Sequence, residues 1–313
     1  MIVIWSRTTF KTENFAEDAI ILENEKDLEK ISEAIKTWKK ITVIWWWSNL
    51  LLAKQKYENE IFVRNNFKWR TELSPWIVKF NSWTVLSTWT KQRSEQKSSN
   101  KLNGRDWLPW TIGWAVAWNA ESFWLAIWPF VKEICYIDEQ WTEQTTSDYT
   151  FEYRKSNFKD RKNIFIKTIT CEFPLWNDES INPCEFYMKR RLERQEYNKT
   201  CGSFFKNVNL NKKNLTSDQE KMIEKVLSFA TNPLKKQIET ANEKLIIPAW
   251  RLVENAWLKW FDIWWVKVSE KHANFISNYA NKDPQKIIDL KNMIQERVKE
   301  TFWCILEPEV IIY

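Results

Sequence analysis

One stretch of the chain, Ile41 to Leu52 (ITVIWWWSNLLL), most constrains how it can fold. Its β-branched run predicts a strand, and this strand is followed by Trp45, Trp46, Trp47, Ser48 and Asn49. A turn that leaves a strand and meets a phosphate needs glycine, because only glycine lets backbone N–H groups come close to the anion. With glycine in place of the three tryptophans, these five residues are predicted to form a phosphate-binding loop.

Glycine is scarce throughout the chain, and tryptophan is abundant. There are 3 Gly and 23 Trp among 313 residues, whereas glycine ordinarily makes up about 7% of a protein. The tryptophans also stand where glycine is typical: after Pro109, among the small residues around Gly113, and as the pair Trp264 and Trp265. We interpret them as glycines from a gene that uses UGA for glycine, translated here with UGA as tryptophan. The alternative is a truly Trp-rich protein with an aromatic, sugar-binding surface.

Length, charge and cysteine content limit the classes of protein to which the chain can belong. A chain of 313 residues can form two or three domains. A net charge of +6 suits a small anionic ligand better than nucleic acid, which usually needs a concentrated basic face. Five widely spaced cysteines and a single histidine argue against a metal site and for a reduced, cytoplasmic protein. The N-terminus lacks the apolar core of a signal peptide, and no run of about 18 apolar residues predicts a membrane span.

Hydrophobic spacing predicts a mixture of helices and strands. The chain is expected to begin as a βαβ unit, with strand 19–22, a helix over 25–39 and strand 41–44. Short strands at 61–63, 77–80 and 84–86 then suggest a meander. Later strands are expected at 131–137, 164–173, 275–278 and 304–313. Helices are expected within 215–245, within 246–265 as a short one between turns, and over 284–302.

A second stretch, Leu108 to Trp124, becomes LPGTIGGAVAGNAESFG when tryptophan is replaced by glycine. Such a density of small residues lets the backbone pass close to a flat or charged group. Together with the first loop, it predicts a dinucleotide such as FAD as the ligand. The residues of this stretch assigned to cofactor binding are Pro109, Trp110, Thr111, Gly113, Trp114, Ala115 and Asn119.

A third stretch, Thr200 to Asn207 (TCGSFFKN), needs no such replacement. It brings a hydroxyl (Ser203), a cation (Lys206) and an amide (Asn207) close together in the sequence. Such a set can form part of a binding site, and a surface turn before a strand would have a similar sequence.

Taken in order, the glycine version of ITVIWWWSNLL, that of LPWTIGWAVAWNA, and then YRKS, GSFFKN and LEPEV resemble the UDP-N-acetylenolpyruvoylglucosamine reductase (MurB) family. The resemblance runs from Thr8 to nearly the end of the chain, and its last three motifs do not depend on replacing tryptophan. It implies a cytoplasmic enzyme of peptidoglycan precursor synthesis that uses FAD and NADPH. The implied substrate is UDP-N-acetylglucosamine enolpyruvate, which is reduced to UDP-N-acetylmuramate.

The resemblance also implies roles for residues of these motifs. Arg154 (YRKS) would stabilise the enolate that forms beside the substrate carboxylate, since its planar cation suits a carboxylate. Ser203 (GSFFKN) would be the proton donor, and Glu309 (LEPEV) would be the acidic partner in the site. Lys206 and Asn207 would bind the sugar nucleotide or the NADPH phosphates.

The chain departs from the family pattern in the flavin loop and near the substrate. Residues 121–123 are ESF instead of the usual Gly-Ala-Tyr, and Ile311 replaces the arginine that commonly follows LEPEV. One subclass of the family has a tyrosine-bearing loop over the substrate. The short 174–200 segment favours the subclass without it, while Tyr187 and Tyr197 leave the question open.

We therefore expect an α+β fold with three parts. A two-part FAD-binding region of the PCMH (vanillyl-alcohol-oxidase-like) type, residues 1–175, leads through a connector, 176–197, to a C-terminal α+β substrate-binding domain, 198–313. We expect a monomer that binds no metal, nucleic acid or membrane. Two alternatives stay open: another FAD-linked sugar or hydroxy-acid oxidoreductase of the same fold, and a non-catalytic Trp-rich binding protein.

The codons of the gene test the interpretation of the tryptophans directly. We expect UGA at most or all of the 23 tryptophan positions, because glycine is the residue that these turns require. Sequencing the gene measures this, and UGG codons at the same positions would contradict the interpretation.

Overall fold

The computed structural model describes most of the chain, in two compact units. Unit 1 comprises Met1–Ile2, Phe15–Trp46 and Lys56–Arg191, and unit 2 comprises Val3–Asn14, Trp47–Gln55 and Leu192–Tyr313. The described residues are 2–3, 10–37, 39–43, 50–66, 69–74, 77–82, 84, 111–122, 125–152, 154–159, 161, 164–173, 189, 193–196, 199–231, 235–236, 238, 243–280 and 282–313.

The regular elements mix helices with short strands. The helices are α1 (Leu28–Ile35), α2 (Ile112–Ala117), α3 (Ser217–Phe229), α4 (Ala249–Asn255) and α5 (Gln285–Phe302), with 3₁₀ turns at Glu25–Asp27 and Trp128–Phe130. The strands are β1 (Ile2–Val3), β2 (Phe15–Leu22), β3 (Lys40–Val43), β4 (Leu50–Leu51), β5 (Lys56–Asn65), β6 (Arg70–Glu72), β7 (Ile77–Asn81), β8 (Glu121–Ser122), β9 (Leu125–Ala126), β10 (Val131–Ile137), β11 (Glu143–Thr146), β12 (Phe151–Glu152), β13 (Lys155–Ser156), β14 (Phe165–Glu172), β15 (Thr200–Ser203), β16 (Val208–Asn211), β17 (Lys244–Ile247), β18 (Asp262–Ile263), β19 (Val266–Val268), β20 (Phe275–Asn278) and β21 (Ile311–Ile312).

Unit 1 begins with the predicted βαβ arrangement. Strands β2 and β3 both pair in parallel with β5, which lies between them, and α1 connects β2 to β3. The helical segment is shorter than predicted, because it starts as a 3₁₀ turn and α1 ends at Ile35. Asn24 and Asp27 form a capping box: Asn24 Oδ1 accepts from Lys26 N at 3.0 Å, and Asp27 Oδ2 accepts from Asn24 N at 3.0 Å.

The second sheet of unit 1 is antiparallel, with the order β11-β10-β14-β7-β6. It confirms the strands predicted at 131–137 and 164–173. The predicted meander is wrong, because β5 joins the parallel sheet whereas β6 and β7 pair with each other in this one. Sequence spacing shows that strands are present and carries no information on which sheet each one joins. Of the third predicted strand, 84–86, only Thr84 is described, and it lies outside the strands.

Unit 2 is built around α5 and a small antiparallel sheet with the order β15-β20-β19-β18. The predicted amphipathic helix is confirmed, with a buried stripe formed by Ile287, Leu290, Ile294, Val298 and Phe302. Of the predicted strand 304–313, only β21 forms, and it pairs in parallel with β4. Pro308 interrupts the rest, since proline has no N–H to donate to a ladder.

Within the described residues, no helix is both long and apolar enough to span a membrane. Over the same residues, no group of three or more His, Cys, Asp or Glu side chains is placed to hold a metal ion.

Left-handed backbone conformations occur mainly at tryptophans. Among the described residues, eleven non-glycine residues have positive φ, and six of them are tryptophans. These are Trp141 (63°), Trp257 (61°), Trp260 (70°), Trp264 (50°), Trp265 (69°) and Trp303 (54°). A residue with a Cβ pays roughly 1–2 kcal/mol for this conformation, whereas glycine adopts it freely. The backbone therefore favours glycine at these positions.

We expect Trp257→Gly to raise the free energy of unfolding by about 1 kcal/mol. Trp257 follows α4 at φ 61°, and it is 85% exposed, so little packing is lost. Trp250→Gly is the matched control and should lower the free energy of unfolding. Trp250 lies inside α4, is partly buried, and its ring is 6.1 Å from that of His272. Urea denaturation of the two variants measures the difference, and a destabilising Trp257→Gly would contradict the assignment of glycine to this position.

Candidate active site

Part of the predicted site lies outside the described residues. This applies to Trp45, Trp46, Trp47, Ser48 and Asn49 of the first loop, to Pro109 and Trp110, and to Tyr187 and Tyr197. The other predicted residues belong to α2 and a nearby hairpin in unit 1, and to the GSFFKN and LEPEV segments in unit 2.

The second glycine-like stretch forms the helix α2, where the sequence predicted only a close approach of the backbone. Thr111 begins it as N-cap, with Oγ1 accepting from Trp114 N at 3.3 Å. Gly113 is needed for packing, because a Cβ there would lie 2.8 Å from Ser82 Cβ and 2.9 Å from Ser82 O. Gly113 N instead donates to Ser82 O at 2.7 Å. Gly113 and the buried Ala115 thus let α2 lie against its neighbours in unit 1.

Asn119 terminates α2 in a left-handed conformation, with φ 43°. Ala120 N donates to Ala115 O at 2.7 Å and Asn119 N donates to Val116 O at 3.1 Å, which together form a Schellman motif. Asn119 Nδ2 also donates to Glu152 O at 2.9 Å. Its Oδ1 is buried and has no hydrogen-bond partner among the described residues. Asn119 therefore has a structural role and also presents a buried acceptor.

Arg154 lies just before β13, which pairs with β12, and has φ 57°. Both strands of this hairpin are tied to the C-terminal end of α2. Ser156 Oγ donates to Ala117 O at 2.7 Å, and Asn119 binds the backbone of the first strand. Lys159 Nζ donates to Arg154 O at 2.9 Å, which stabilises the unusual turn. The position of the Arg154 backbone is therefore fixed by hydrogen bonds from several directions.

Two tryptophans fill one side of α2. The rings of Trp114 and Trp118 are stacked, with centroids 5.6 Å apart and planes 8° apart, and both residues are buried. The indole N–H of Trp118 is buried without a hydrogen-bond partner among the described residues, although such groups usually find one. These two rings occupy space that glycine would leave open.

Ser203 follows a bulge in the β15–β20 ladder. The register shifts between the pairs Thr200–Ser277 and Ser203–Phe275, and Gly202 within the bulge has φ 89°. A Cβ on Gly202 would have no heavy atom within 4 Å, so glycine is required there for its conformation and not for space. Bulges change the direction of the side chains that follow, and this one determines where the partly buried Ser203 points.

The GSFFKN and LEPEV segments pair with each other, although they are about 100 residues apart in sequence. Phe205 and Pro308 form an antiparallel bridge, and Glu309 N donates to Phe204 O at 2.8 Å. The partly buried Glu309 is thus bonded to the residue that follows Ser203. Unit 2 therefore brings together the predicted proton donor and its predicted acidic partner.

Cys201 lies two residues before Ser203 and is buried. Burial raises the pKa of its thiol well above the usual range, and the negative charge of Glu309 raises it further. A thiol in this state is neither nucleophilic nor acidic at neutral pH, so Cys201 acts as a small core residue.

Lys206 and Asn207 both make structural contacts. Lys206 Nζ lies 3.0 Å from Glu307 Oε2 in an exposed ion pair. Asn207 Oδ1 accepts from Ala249 N, the first N–H of α4, at 3.1 Å. Pro248, which precedes α4, has no side-chain acceptor, so Asn207 caps the helix from a distant part of the chain.

Two residues that hold the predicted site in place were not predicted from the sequence. Lys159 bonds the turn of Arg154, and Asn274 bonds the backbone of Phe204 and Phe205. In the sequence, Asn274 is marked only as a polar residue before a strand. Lys159 is marked only as a lysine in a polar segment. Neither signal identifies the partner.

The order and pairing of these elements define a class of protein. The fold is that of a solved UDP-N-acetylenolpyruvylglucosamine reductase (MurB) from Thermus caldophilus, with a TM-score of 0.70 over 100% of this chain and 97% of that one, at 17% identity. The predicted class, an α+β fold, is confirmed.

Sequence comparisons support the MurB family that the motifs indicated. Residues 193–313 match the family described as UDP-N-acetylenolpyruvoylglucosamine reductase, C-terminal domain. The protein of that name from Aquifex aeolicus is 32% identical over 217 residues, covering 68% of this chain and 59% of the relative. That from Acaryochloris marina is 24% identical over 314 residues, covering 97% of this chain and 88% of the relative. With Aquifex aeolicus and Caldicellulosiruptor bescii, the chain spans only 59% and 55% of the relative's length.

His272 provides a pH-dependent test of packing near Asn274. Burial lowers its pKa from 6.5 to about 4, and its Nδ1 accepts from Asn274 N at 3.3 Å. The unfolded chain therefore binds a proton more tightly than the folded chain, and the stabilisation by neutral His272 is lost as pH falls below 6.5. Between pH 7 and pH 5, we expect this to lower the free energy of unfolding by about 2 kcal/mol.

Urea denaturation at the two pH values measures the effect, with His272→Gln as the control. The variant lacks the imidazole and should lose this part of the pH dependence. An equal pH dependence in both proteins would show that His272 titrates normally.

Proposed function

We propose that the chain is a flavin-dependent reductase that uses NADPH to convert UDP-N-acetylglucosamine enolpyruvate to UDP-N-acetylmuramate, in peptidoglycan precursor synthesis. One observation carries the proposal: the GSFFKN and LEPEV segments pair so that Glu309 N bonds Phe204 O, next to Ser203. The family match of residues 193–313 and the names of the relatives support it.

Ser203 is proposed as the proton donor. Reduction of an enolpyruvyl ether adds hydride to the methylene carbon and a proton to the adjacent carbon. A serine hydroxyl is a weak acid in water, but it suffices for a strongly basic enolate held nearby. Glu309, close to the same strand, is its acidic partner in the site.

Arg154 is proposed to stabilise the charge that develops on the enolate and the substrate carboxylate. Its guanidinium keeps its charge at all working pH values and offers two parallel donors to a carboxylate. The bonds from Ser156, Asn119 and Lys159 hold its hairpin before substrate binds. Such pre-arranged charge is effective because little reorganisation is needed during the reaction.

FAD is proposed to bind through the residues named from the two glycine-like stretches. Ser82 Oγ and Asn119 Oδ1 are buried without hydrogen-bond partners among the described residues, one beside α2 and one at its end, and buried polar atoms normally have partners. A polar cofactor at α2 fits this arrangement when Trp114 and Trp118 are glycine, because their rings otherwise fill one side of the helix. When bound, FAD would carry hydride from NADPH to the substrate.

Lys206 and Asn207 are proposed to bind phosphates of the sugar nucleotide or of NADPH. The Glu307 side chain of the ion pair with Lys206 is 74% exposed, so the pair contributes little and can be exchanged for a phosphate. Asn207 uses its Oδ1 to cap α4, which leaves its amide N–H groups for the ligand.

Residues 1–175 are proposed to bind FAD, residues 176–197 to connect the two parts, and residues 198–313 to bind the substrate. Unit 2 also includes Val3–Asn14 and Trp47–Gln55. We propose that the protein acts in the cytoplasm as a monomer.

We also propose that the native protein has glycine at most or all of the tryptophan positions. Six described tryptophans have a left-handed backbone conformation, and the indole N–H of the buried Trp118 has no hydrogen-bond partner among the described residues. The exposed Trp257, Trp260, Trp264 and Trp265 would be the sugar-binding surface of a Trp-rich binding protein. All four have positive φ, so such a surface would be built on strained turns, which favours the glycine interpretation.

The function is tested with the 313-residue chain carrying glycine at the 23 tryptophan positions. We expect a yellow protein that oxidises NADPH only when the enolpyruvyl sugar nucleotide is present. Ser203→Ala should lower turnover at least about a hundredfold, and Arg154→Lys should lower it by a similar factor, because lysine lacks the planar fork. Absorbance at the flavin and NADPH bands measures both.

The parent chain with tryptophan is the control and should contain no flavin. NADPH oxidation driven by oxygen alone in the glycine version would instead support another flavin oxidoreductase. A colourless glycine version would contradict the proposed cofactor.

A further inference from the structure

We propose that Asn274 is a positioning residue for the proton donor Ser203. Its side-chain amide bonds the backbone N–H and carbonyl of Phe205, two residues after Ser203, and its backbone oxygen bonds the N–H of Phe204. The inference rests on the proposed role of Ser203, and it adds a residue to which no motif assigns a role.

Asn274 makes three hydrogen bonds to the GSFFKN segment. Its backbone oxygen accepts from Phe204 N at 2.7 Å. Its Oδ1 accepts from Phe205 N at 2.9 Å, and its Nδ2 donates to Phe205 O at 2.8 Å. Asn274, Phe204 and Phe205 are all at most 3% exposed, so water does not compete for these bonds.

These bonds complete the backbone hydrogen bonding between Ser203, which pairs with β20, and Phe205, which pairs with Pro308. Ser203 is the last residue of its strand paired with β20, and Phe205 is bridged to Pro308. In between, Phe204 O accepts from Glu309 N, and the other three backbone groups of Phe204 and Phe205 are bonded to Asn274. The asparagine side chain takes the place of a strand backbone in this gap.

Only a side-chain amide of this length can bond both backbone groups of Phe205. The N–H of Phe205 needs an acceptor, and its carbonyl oxygen needs a donor. Alanine would leave a buried N–H and a buried carbonyl without partners. Aspartate would still accept from the N–H, but it would place an oxygen against Phe205 O. Asn274 is itself held, since its backbone N donates to Nδ1 of His272.

The consequence for the reaction is specific. The Ser203 hydroxyl must lie within hydrogen-bonding distance of the carbon that it protonates, and a displacement of about 1 Å can slow a reaction a hundredfold. Loss of the Asn274 amide should therefore slow the step in which substrate is reduced. It should leave the reduction of the cofactor by NADPH unchanged, because that step does not use Ser203.

The test compares Asn274→Ala and Asn274→Asp with Asn14→Ala, in the 313-residue chain with glycine at the tryptophan positions. Asn14 is a matched control in the same unit: it is buried, and its Nδ2 donates to Leu52 O at 3.0 Å and to Lys54 O at 2.7 Å. It contacts none of the proposed catalytic residues through these bonds. If the alanine variant does not fold, the aspartate variant, which has nearly the same shape, carries the test.

Two measurements are made on each variant. Amide hydrogen exchange of the peptide covering 201–207 reports the hydrogen bonds of Phe204 and Phe205 without any need for activity. Stopped-flow absorbance separates the reduction of the flavin by NADPH from its reoxidation by the enolpyruvyl sugar nucleotide. In the Asn274 variants we expect faster exchange and a reoxidation rate lower by about tenfold to a hundredfold, with flavin reduction changed less than about twofold. Asn14→Ala should change neither rate.

Three results would overturn the proposal. Unchanged exchange would show that the amide does not hold the segment. Faster exchange with unchanged reoxidation would show that the bonds do not position Ser203. Equal slowing of both steps, or the same slowing in Asn14→Ala, would show a general loss of structure. Failure of the proposed function is distinct, since the unmutated glycine version would then show no reoxidation by the sugar nucleotide.

Discussion

Backbone conformation at positive φ is the constraint on which this fold depends. Six described tryptophans occupy it, and each would oppose folding by roughly 1–2 kcal/mol. A protein of this size is stable by only about 5–15 kcal/mol, so the six together would offset much of its stability. Glycine at the same positions removes that cost without changing any turn. The backbone of these turns therefore favours glycine over tryptophan.

Elements with a regular hydrophobic period could be predicted from the sequence. The helix α5 and the strands β10 and β14 lie close to their predicted bounds, because burial of one face or of a whole strand determines their residue pattern. The elements that differ depend on other contacts. Pro308 shortens the last strand, and α2 forms where the density of small residues had indicated only close packing. The sheet that each strand joins depends on pairing across the fold, which no local pattern contains.

The candidate site shows the same difference between what local sequence predicts and what distant contacts determine. Motifs identify Arg154, Ser203 and Glu309 as residues with suitable chemistry, since each motif is local. The groups that bond the backbone beside them are distant in sequence: Asn274 is 69 residues from Phe205, and Asn119 is 33 residues from Glu152. A sequence can therefore suggest which groups react, while the hydrogen bonds that hold them become visible only in the fold.

The connectivity of unit 2 links the first loop to Glu309. The strand β3 enters that loop from unit 1, and β4, which follows it, belongs to unit 2. There β4 pairs in parallel with β21, with Leu50 opposite Ile311, two residues after Glu309. The ladder that follows Glu309 therefore joins two parts of the sequence that lie far apart. No local motif indicates such a pairing, because each of its two strands is only two residues long.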